Sequence, residues 1–236
     1  MSDLFAVIEG TWPAASLREA GGFAVREGRG AGSRVSSASL EGPFERADID
    51  AAIAAHCALN QPPKFMIRPG EEALDAALAA RGYEIFDPVV IYGAPVAVLC
   101  QPVPPVTAFA HWPPLNIARE LWTDLGIGPA RQAVMDRAPG PKACVLGRKE
   151  DRAAGAMFIA LQDGTAMVHA LAVAPAMRRK GLAQAMMFEA ARWAKDQGAQ
   201  DIALVVTRAN TAANALYRGL GMAEIGAYHY RREPQA

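Results

Sequence analysis

Along the second half of the chain the period of the apolar positions changes repeatedly, and each change marks an element. Asn116 to Arg137 reads as two helices separated by a turn at Gly126-Ile-Gly-Pro129. Lys142–Arg148 and Gly155–Gln162 follow as strands, and Asp163-Gly164 is a hairpin signal that predicts an antiparallel partner from Thr165 to Val173. Pro175 stops that strand. Beyond Gly181, Leu182, Met186, Ala190, Trp193 and Ala194 share one face of a helix that ends at Gly198. Asp201–Thr207 is a buried strand, and a short helix capped in the Asn210-Thr211 region runs to Gly221, a residue suited to the left-handed conformation that ends helices. A last strand follows, carrying Tyr228, His229 and Tyr230.

The first half gives a weaker signal, and its end parallels the end of the second. Lys64–Arg68 reads as a strand, Glu71–Arg81 as a helix stopped by Gly82, and Tyr83–Tyr92 as extended chain. In this register Gly82-Tyr83 matches Gly221-Met222, and Leu78 takes the place of Tyr217. Trp12-Pro13 and Trp112-Pro113 are candidate starting points of the two copies. Prolines at 102, 104, 105, 113 and 114 interrupt both helix and strand, so the boundary is expected near residue 100, giving domains 1–100 and 101–236. Gly28-Arg-Gly-Ala-Gly-Ser33 is glycine-rich, but Arg34–Leu40 alternates like a strand. A hairpin turn is therefore expected there, and no phosphate loop is found in the first half.

The junction from Leu171 to Ala183 carries the chemistry. A strand ends in Leu171, Ala172 and Val173, a basic turn follows with Arg178, Arg179 and Lys180, and Gly181 leads into Leu182 and Ala183 at the start of a helix. Free N–H groups and the positive end of the helix dipole would meet there, which makes an anion site of backbone and predicts a phosphorylated ligand. The alternative is a solvated Arg-Arg-Lys run ahead of an ordinary surface helix. Neither the Walker A pattern nor G-x-G-x-x-G is present.

Composition narrows the setting. Basic and acidic residues balance at 24 each, so neither nucleic acid nor an anionic membrane is an expected partner. Cys57, Cys100 and Cys144 are scattered and lack metal-ligand spacing, so no metal site is expected and a reducing cytoplasm fits. The N-terminus lacks the basic and apolar regions of a signal peptide, and no later run reaches membrane-spanning length. A soluble cytoplasmic protein is the expectation, and 52% hydrophobic residues suffice for real cores.

Arg178-x-x-Gly181-x-Ala183 resembles the R/Q-x-x-G-x-G/A signature of the GCN5-related N-acetyltransferase (GNAT) superfamily. Asn210-Thr-Ala-Ala-Asn-Ala-Leu-Tyr-Arg-Gly-Leu-Gly-Met222 is similar to the superfamily's N-x-x-A-x-x-L-Y-x-x-x-G-F segment, with Met222 at the aromatic position. The two motifs stand in the superfamily's order, about thirty residues apart. The resemblance implies an α/β (α+β) acyl-CoA N-acyltransferase fold, a mixed central sheet flanked by helices, here as a tandem of two GNAT-like domains of which the first is degenerate.

It also implies acetyl-CoA as cosubstrate and direct attack by the primary amine of a small molecule or amino acid. The pyrophosphate would lie on Arg178–Ala183, main-chain N–H groups of Leu171–Val173 would serve the oxyanion, and Asn210 would bond the pantetheine arm. Asn214 is a further coenzyme contact or a residue of the helix start. Tyr217 is the expected general acid, its alternative being a packed seam residue. His169 is the candidate base by its position on the strand and its titration range, the alternative being a histidine satisfied within the sheet. Val168–Val173 also resembles the arylalkylamine N-acetyltransferase strand, with Met167 in place of that strand's other histidine. Peptide N-terminal acetyltransferases of the ribosomal-protein type tend to carry a glutamate where Val205 stands, which disfavours that mechanism. Trp112, Trp122 and Phe109 are candidate pocket residues or packing anchors. The first half would shape the acceptor pocket or a homodimer. The other readings are a non-catalytic acyl-CoA sensor or scaffold and a peptide N-acetyltransferase.

Overall fold

The carboxylate of Asp3 accepts from the N–H groups of Phe5 and Ala6, so the first helix, α1 (Leu4–Thr11), starts with its end already capped. The computed structural model describes residues 3–234. Residues 1, 2, 235 and 236, the outer ends of the expected domains, lie outside the described residues. After α1 come strands β1 (Ser16–Ala20), β2 (Phe23–Glu27) and β3 (Ala38–Leu40), helix α2 (Ile49–Ala58), strand β4 (Lys64–Ile67) and helix α3 (Glu72–Ala80). Strand β5 (Glu84–Pro95), the short α4 (Val96–Leu99) and β6 (Ala108–His111) lead to α5 (Asn116–Asp124) and α6 (Pro129–Arg137). The chain continues with β7 (Lys142–Lys149), β8 (Arg152–Gln162), β9 (Thr165–Val173), α7 (Leu182–Asp196), β10 (Asp201–Thr207), α8 (Thr211–Gly219) and β11 (Ala223–Arg232). The elements expected from Asn116 onward are all present. Strand β6 and helices α1 and α2 were not expected, and of Arg34–Leu40 only the last three residues are strand.

Two compact units result, and they are interleaved in sequence. The larger comprises the segment ending at Pro13, Ile91–Val206 and Thr211–Ile225; the smaller comprises Ala14–Val90, Thr207–Asn210 and the chain from Gly226 on. This corrects the single cut near residue 100. The proline cluster interrupts elements but lies inside the larger unit, and the chain crosses between units within β5 and β11. Trp12-Pro13 likewise closes a segment of the larger unit instead of opening a separate first domain.

In the larger unit the strand order is β6-β7-β8-β9-β10, followed by the end of β5 and the start of β11. Pairing is antiparallel from β6 to β9 and parallel between β9 and β10. Helix α7 lies close on one face because two strand positions lack a Cβ: one added at Gly147 or Gly155 would come within 2.5 or 2.9 Å of the Met186 sulfur. Side chains of β8 alternate, so Phe158 faces the other way and meets Trp12, at the end of α1.

The smaller unit has the order β1-β2-β3-β4, then the end of β11 and the start of β5. Strand β2 pairs antiparallel with both β1 and β3, which makes Gly28–Ser33 part of a hairpin connection, as expected. Its core joins Phe23, Phe65 and Tyr83, packed edge to face at 5.6 and 5.7 Å, with Leu74 and Leu78 of α3.

The two helix ends matched in sequence have the same local geometry. Gly82 (φ 84°) and Gly221 (φ 81°) are left-handed, Tyr83 N–H donates to Leu78 O at 3.0 Å, and Met222 N–H donates to Tyr217 O at 3.1 Å. A Cβ at either glycine would strain this turn, which is why the register of the repeat is visible there. Among the described residues no helix is long and apolar enough to cross a membrane.

Candidate active site

Strands β9 and β10 pair only at their beginnings. Their register runs from Thr165↔Asp201 to Val168↔Leu204, whereas β9 continues to Val173 and β10 to Thr207. Burial changes at the same place: Ala166–His169 are buried, and Ala170–Val173 on one side and Val205–Val206 on the other are partly exposed. A bulge accompanies the parting. Opposite Met157 of β8, strand β9 places two residues, Ala170 and Leu171, because Phe158↔His169 is followed by Ala156↔Ala172. Ala170 is left-handed at φ 52°, and the wholly buried Trp122 donates its indole N–H to the Ala170 carbonyl at 2.9 Å. A bulge re-aims backbone groups, and here it leaves the β10-facing edge of Leu171–Val173 without a strand partner.

At the end of β9 the turn is pinned from inside. Met177 is buried, and Arg178 Nε donates to Val173 O at 3.0 Å, folding the turn back on the strand. Arg179 (φ 62°) and Gly181 (φ 80°) are left-handed, and nothing stands within 4 Å of a Cβ built at Gly181. Gly181 is the N-cap of α7 and supplies no side-chain acceptor, so the first N–H groups of that helix are not taken by a cap. Lys180 bonds Glu150 at 2.7 Å, which holds the Glu150 carboxyl below its ordinary range. Arg178, Arg179, Lys180 and Gly181 are exposed, while Leu182 turns inward to the sheet and Ala183 is partly exposed.

The corresponding helix of the smaller unit is closed. There Asp48 is the N-cap of α2 and accepts from the N–H groups of Asp50 and Ala51 at 2.9 and 3.1 Å, filling the position an external anion would take.

Helix α8 carries Asn214 and Tyr217 on its buried face. Tyr217 is 6% exposed, its ring centroid 5.8 Å from that of Tyr92, and burial alone pushes its phenol up to about 12. The Asn214 side-chain oxygen accepts from the Tyr92 hydroxyl at 3.1 Å, so this asparagine braces β5 against α8. Asn210 is exposed in the turn before α8, its N–H donating to Thr207 O at 3.1 Å.

His169 is 4% exposed, and its ring clusters with those of Trp12 (4.9 Å) and Phe158 (6.1 Å). Thr11 gives its hydroxyl proton to Val7 O at 2.7 Å, so its oxygen must accept the N–H of His169 Nε2, 2.9 Å away. This is the satisfied histidine of the alternative reading. Trp112 packs at a tilt against Phe158 at 5.8 Å with the Lys142 ammonium over its ring at 4.7 Å, and Trp122 is consumed by the bulge, so both act as packing anchors. Tyr228 and Tyr230 are buried in the smaller unit, where His229 also lies. Sequence reasoning named Trp122 only as a pocket residue or packing anchor, without its bond to the bulge, and missed Thr11 and Tyr92. Their partners are 48, 158 and 122 residues distant, and no motif joins them. Among the described residues no group of three or more His, Cys, Asp or Glu could hold a metal ion.

A mixed sheet that opens between two parallel strands, with an uncapped helix start at the mouth, defines an acyltransferase architecture of the GNAT kind. Residues 110–222 match the Acetyltransferase (GNAT) family. Among solved structures, one of a functionally unknown conserved protein from Staphylococcus epidermidis is similar at TM-score 0.70, with 14% identity over 95% of this chain and 96% of the other. A GCN5-related N-acetyltransferase from Kribbella flavida is similar at TM-score 0.70, with 18% identity over 98% of this chain and 94% of the other. A tandem GNAT protein from the clavulanic acid biosynthesis pathway is similar at TM-score 0.59, with 12% identity over 85% and 76%. No curated protein matches the sequence. The fold is a GNAT fold in tandem form, and the family matched by residues 110–222 is one of acetyltransferases.

Proposed function

We propose that the larger unit is an acetyl-CoA-dependent N-acetyltransferase acting on the primary amine of a small molecule or amino acid. The observation that carries this reading is the opening between β9 and β10 in front of the uncapped helix start at Gly181. The residues present fit the coenzyme. N–H groups from Gly181 to Ala183 would hold its diphosphate, with the charges of Arg179 and Lys180 beside them, and Asn210 is retained as a contact for its pantetheine arm. Asn214 serves the fold through Tyr92.

The amine nitrogen attacks the acetyl carbonyl carbon, forming a C–N bond as the C–S bond breaks. N–H groups on the free edge of Leu171–Val173 supply donors where oxygen charge develops. The departing sulfur is served by Tyr217. A phenol near 12 stays protonated throughout the neutral range, and against a thiol of pKa ~8.5 it acts as a hydrogen-bond donor to the thiolate before complete proton transfer. The ammonium proton passes to water, because the His169 ring is held by Thr11 and packed against the Trp12 and Phe158 rings. The cytoplasm remains the proposed setting.

Thiol release from acetyl-CoA, measured with a panel of amines and amino acids, tests this. At least one acceptor should stimulate release, and Tyr217→Phe should lower kcat by about 10²-fold while leaving coenzyme affinity within a factor of two or so. Tight coenzyme binding with no acceptor-dependent release, unchanged in Tyr217→Phe, would instead identify a sensor.

A further inference from the structure

The β7–β8 hairpin carries an acidic side chain to the turn at Arg178–Ala183. Its connection is Glu150-Asp151, between the paired residues Lys149 and Arg152, and both connecting residues are left-handed, at φ 52° and 57°. Two successive residues at positive φ make the tight hairpin turn that Asn-Gly fills most easily. A glutamate gains nothing from that backbone, so what it contributes at the tip is its side chain. The β8–β9 ladder sets where the tip lies. Gly155 is opposite Val173, and Ala174 N–H donates to Ala154 O at 2.8 Å, so the hairpin runs out beside the turn that follows β9.

The Glu150 carboxylate meets two cations there. Its Oε1 accepts from Lys180 Nζ at 2.7 Å, and its Oε2 accepts from Arg152 at 3.5 Å. Lys180 Nζ also stands 3.8 Å from the sulfur of the buried Met177, so its charge is held between the turn's inner residue and the hairpin. Both partners keep solvent contact, with side chains 41% and 49% exposed, and an ion pair of that kind is weak enough for a stronger anion to break. Lys180 directly precedes Gly181, the N-cap of α7, so an anion on the first N–H groups of that helix comes within reach of the same ammonium.

We propose that Glu150 is a further residue of the coenzyme site, an internal anion on Lys180 that the coenzyme diphosphate displaces, and that it thereby sets how tightly coenzyme A is held. The inference rests on the coenzyme reading given above. The carboxylate brings one charge to the ammonium, whereas the diphosphate brings more and is held in addition by the start of α7. The diphosphate therefore takes Lys180, and Glu150 keeps Arg152. Part of the attraction between turn and coenzyme is spent on breaking the Lys180–Glu150 pair, and the displaced carboxylate stays beside the new anion and repels it. Both effects loosen the hold on the product, coenzyme A, and favour its release.

The test is a double-mutant cycle on the full chain: calorimetric titration with coenzyme A of the wild type, Glu150→Gln, Lys180→Gln and the double variant. Glu150→Gln removes the charge from an exposed turn position and keeps the size, so it should bind coenzyme A about three- to tenfold more tightly. In the Lys180→Gln background the same substitution should gain less than about twofold, because the ammonium that the two anions contest is gone. Equal or weaker binding by Glu150→Gln would overturn the proposal, since Glu150 would then support the turn. A gain as large without Lys180 as with it would overturn it too, by showing a charge effect that bypasses the pair. Failure of the underlying coenzyme reading has a different signature and removes the inference with it: neither the wild type nor Glu150→Gln would give saturable heat.

Discussion

Trp122 shows how a residue remote from any motif can set the geometry of the proposed chemistry. Its indole N–H satisfies the carbonyl of Ala170, the left-handed residue at the bulge, and the bulge determines where the N–H groups of Leu171–Val173 point. Trp122→Phe keeps an aromatic ring but leaves a buried carbonyl unpaired, at a cost of ~1–3 kcal/mol. Chemical denaturation should register that loss, and kcat per folded molecule should fall by at least about tenfold because the donors lose their alignment. An unchanged kcat in the folded variant would show that the bulge is held without Trp122. At this scale Gly181 and Tyr217 were legible, since each belongs to a short local pattern with a physical reason for the residue type. The packing of His169 was not. Its hydrogen-bond partner Thr11 and its ring neighbour Trp12 come from the end of a helix at the far end of the sequence, and only the folded chain brings them to β9.

Helices α7 and α2 occupy matching places in the two halves and differ in how they begin. Gly181 leaves the first N–H groups of α7 to an external acceptor, whereas Asp48 satisfies those of α2 from within. The same divergence placed a buried polar network behind β4. His56 of α2 is fully buried, its Nε2–H donating to Lys64 O at 3.1 Å and its Nδ1 accepting from Gln61 at 3.0 Å. Burial first of all pushes its pKa down from 6.5 to about 4. The unfolded chain therefore binds the proton at a pH where the folded chain does not, and stability falls as the pH drops from about 6.5 to about 4. That loss is on the order of 3 kcal/mol. Urea unfolding across this window should show the slope, and His56→Gln should flatten it; an equal slope in the variant would place the proton elsewhere. Strands β7–β9 and helix α7 were legible because their periods are clean. Helix α2 was not, because alanines surround it on every side and its apolar stripe has no contrast. Strand β6, four residues between prolines, is too short to show a period.

Across the whole molecule, the chain separates in space differently from the way it separates in sequence. Proline clusters mark where elements stop, but strand partners are chosen by long-range pairing, so β11 pairs with β4 and each unit includes chain from both halves. The tandem character was legible at Gly82 and Gly221, where local backbone geometry repeats, and the interleaving was not. Both units descend into the same strand–turn–helix order, yet only one retains an open helix start. The account therefore rests on the larger unit's turn at Arg178–Ala183 as the place where a diphosphate is held. Calorimetric titration with coenzyme A, of the wild-type chain and of Gly181→Val, tests that most directly. A β-branched residue is strained at φ 80° and would stand in the open space before α7, so the variant should lose coenzyme binding by about 10²-fold or more, while circular dichroism reports a folded chain. Saturable heat in the wild type and its loss in the variant is the predicted result; no heat with the wild type, or wild-type affinity in Gly181→Val, would contradict the account.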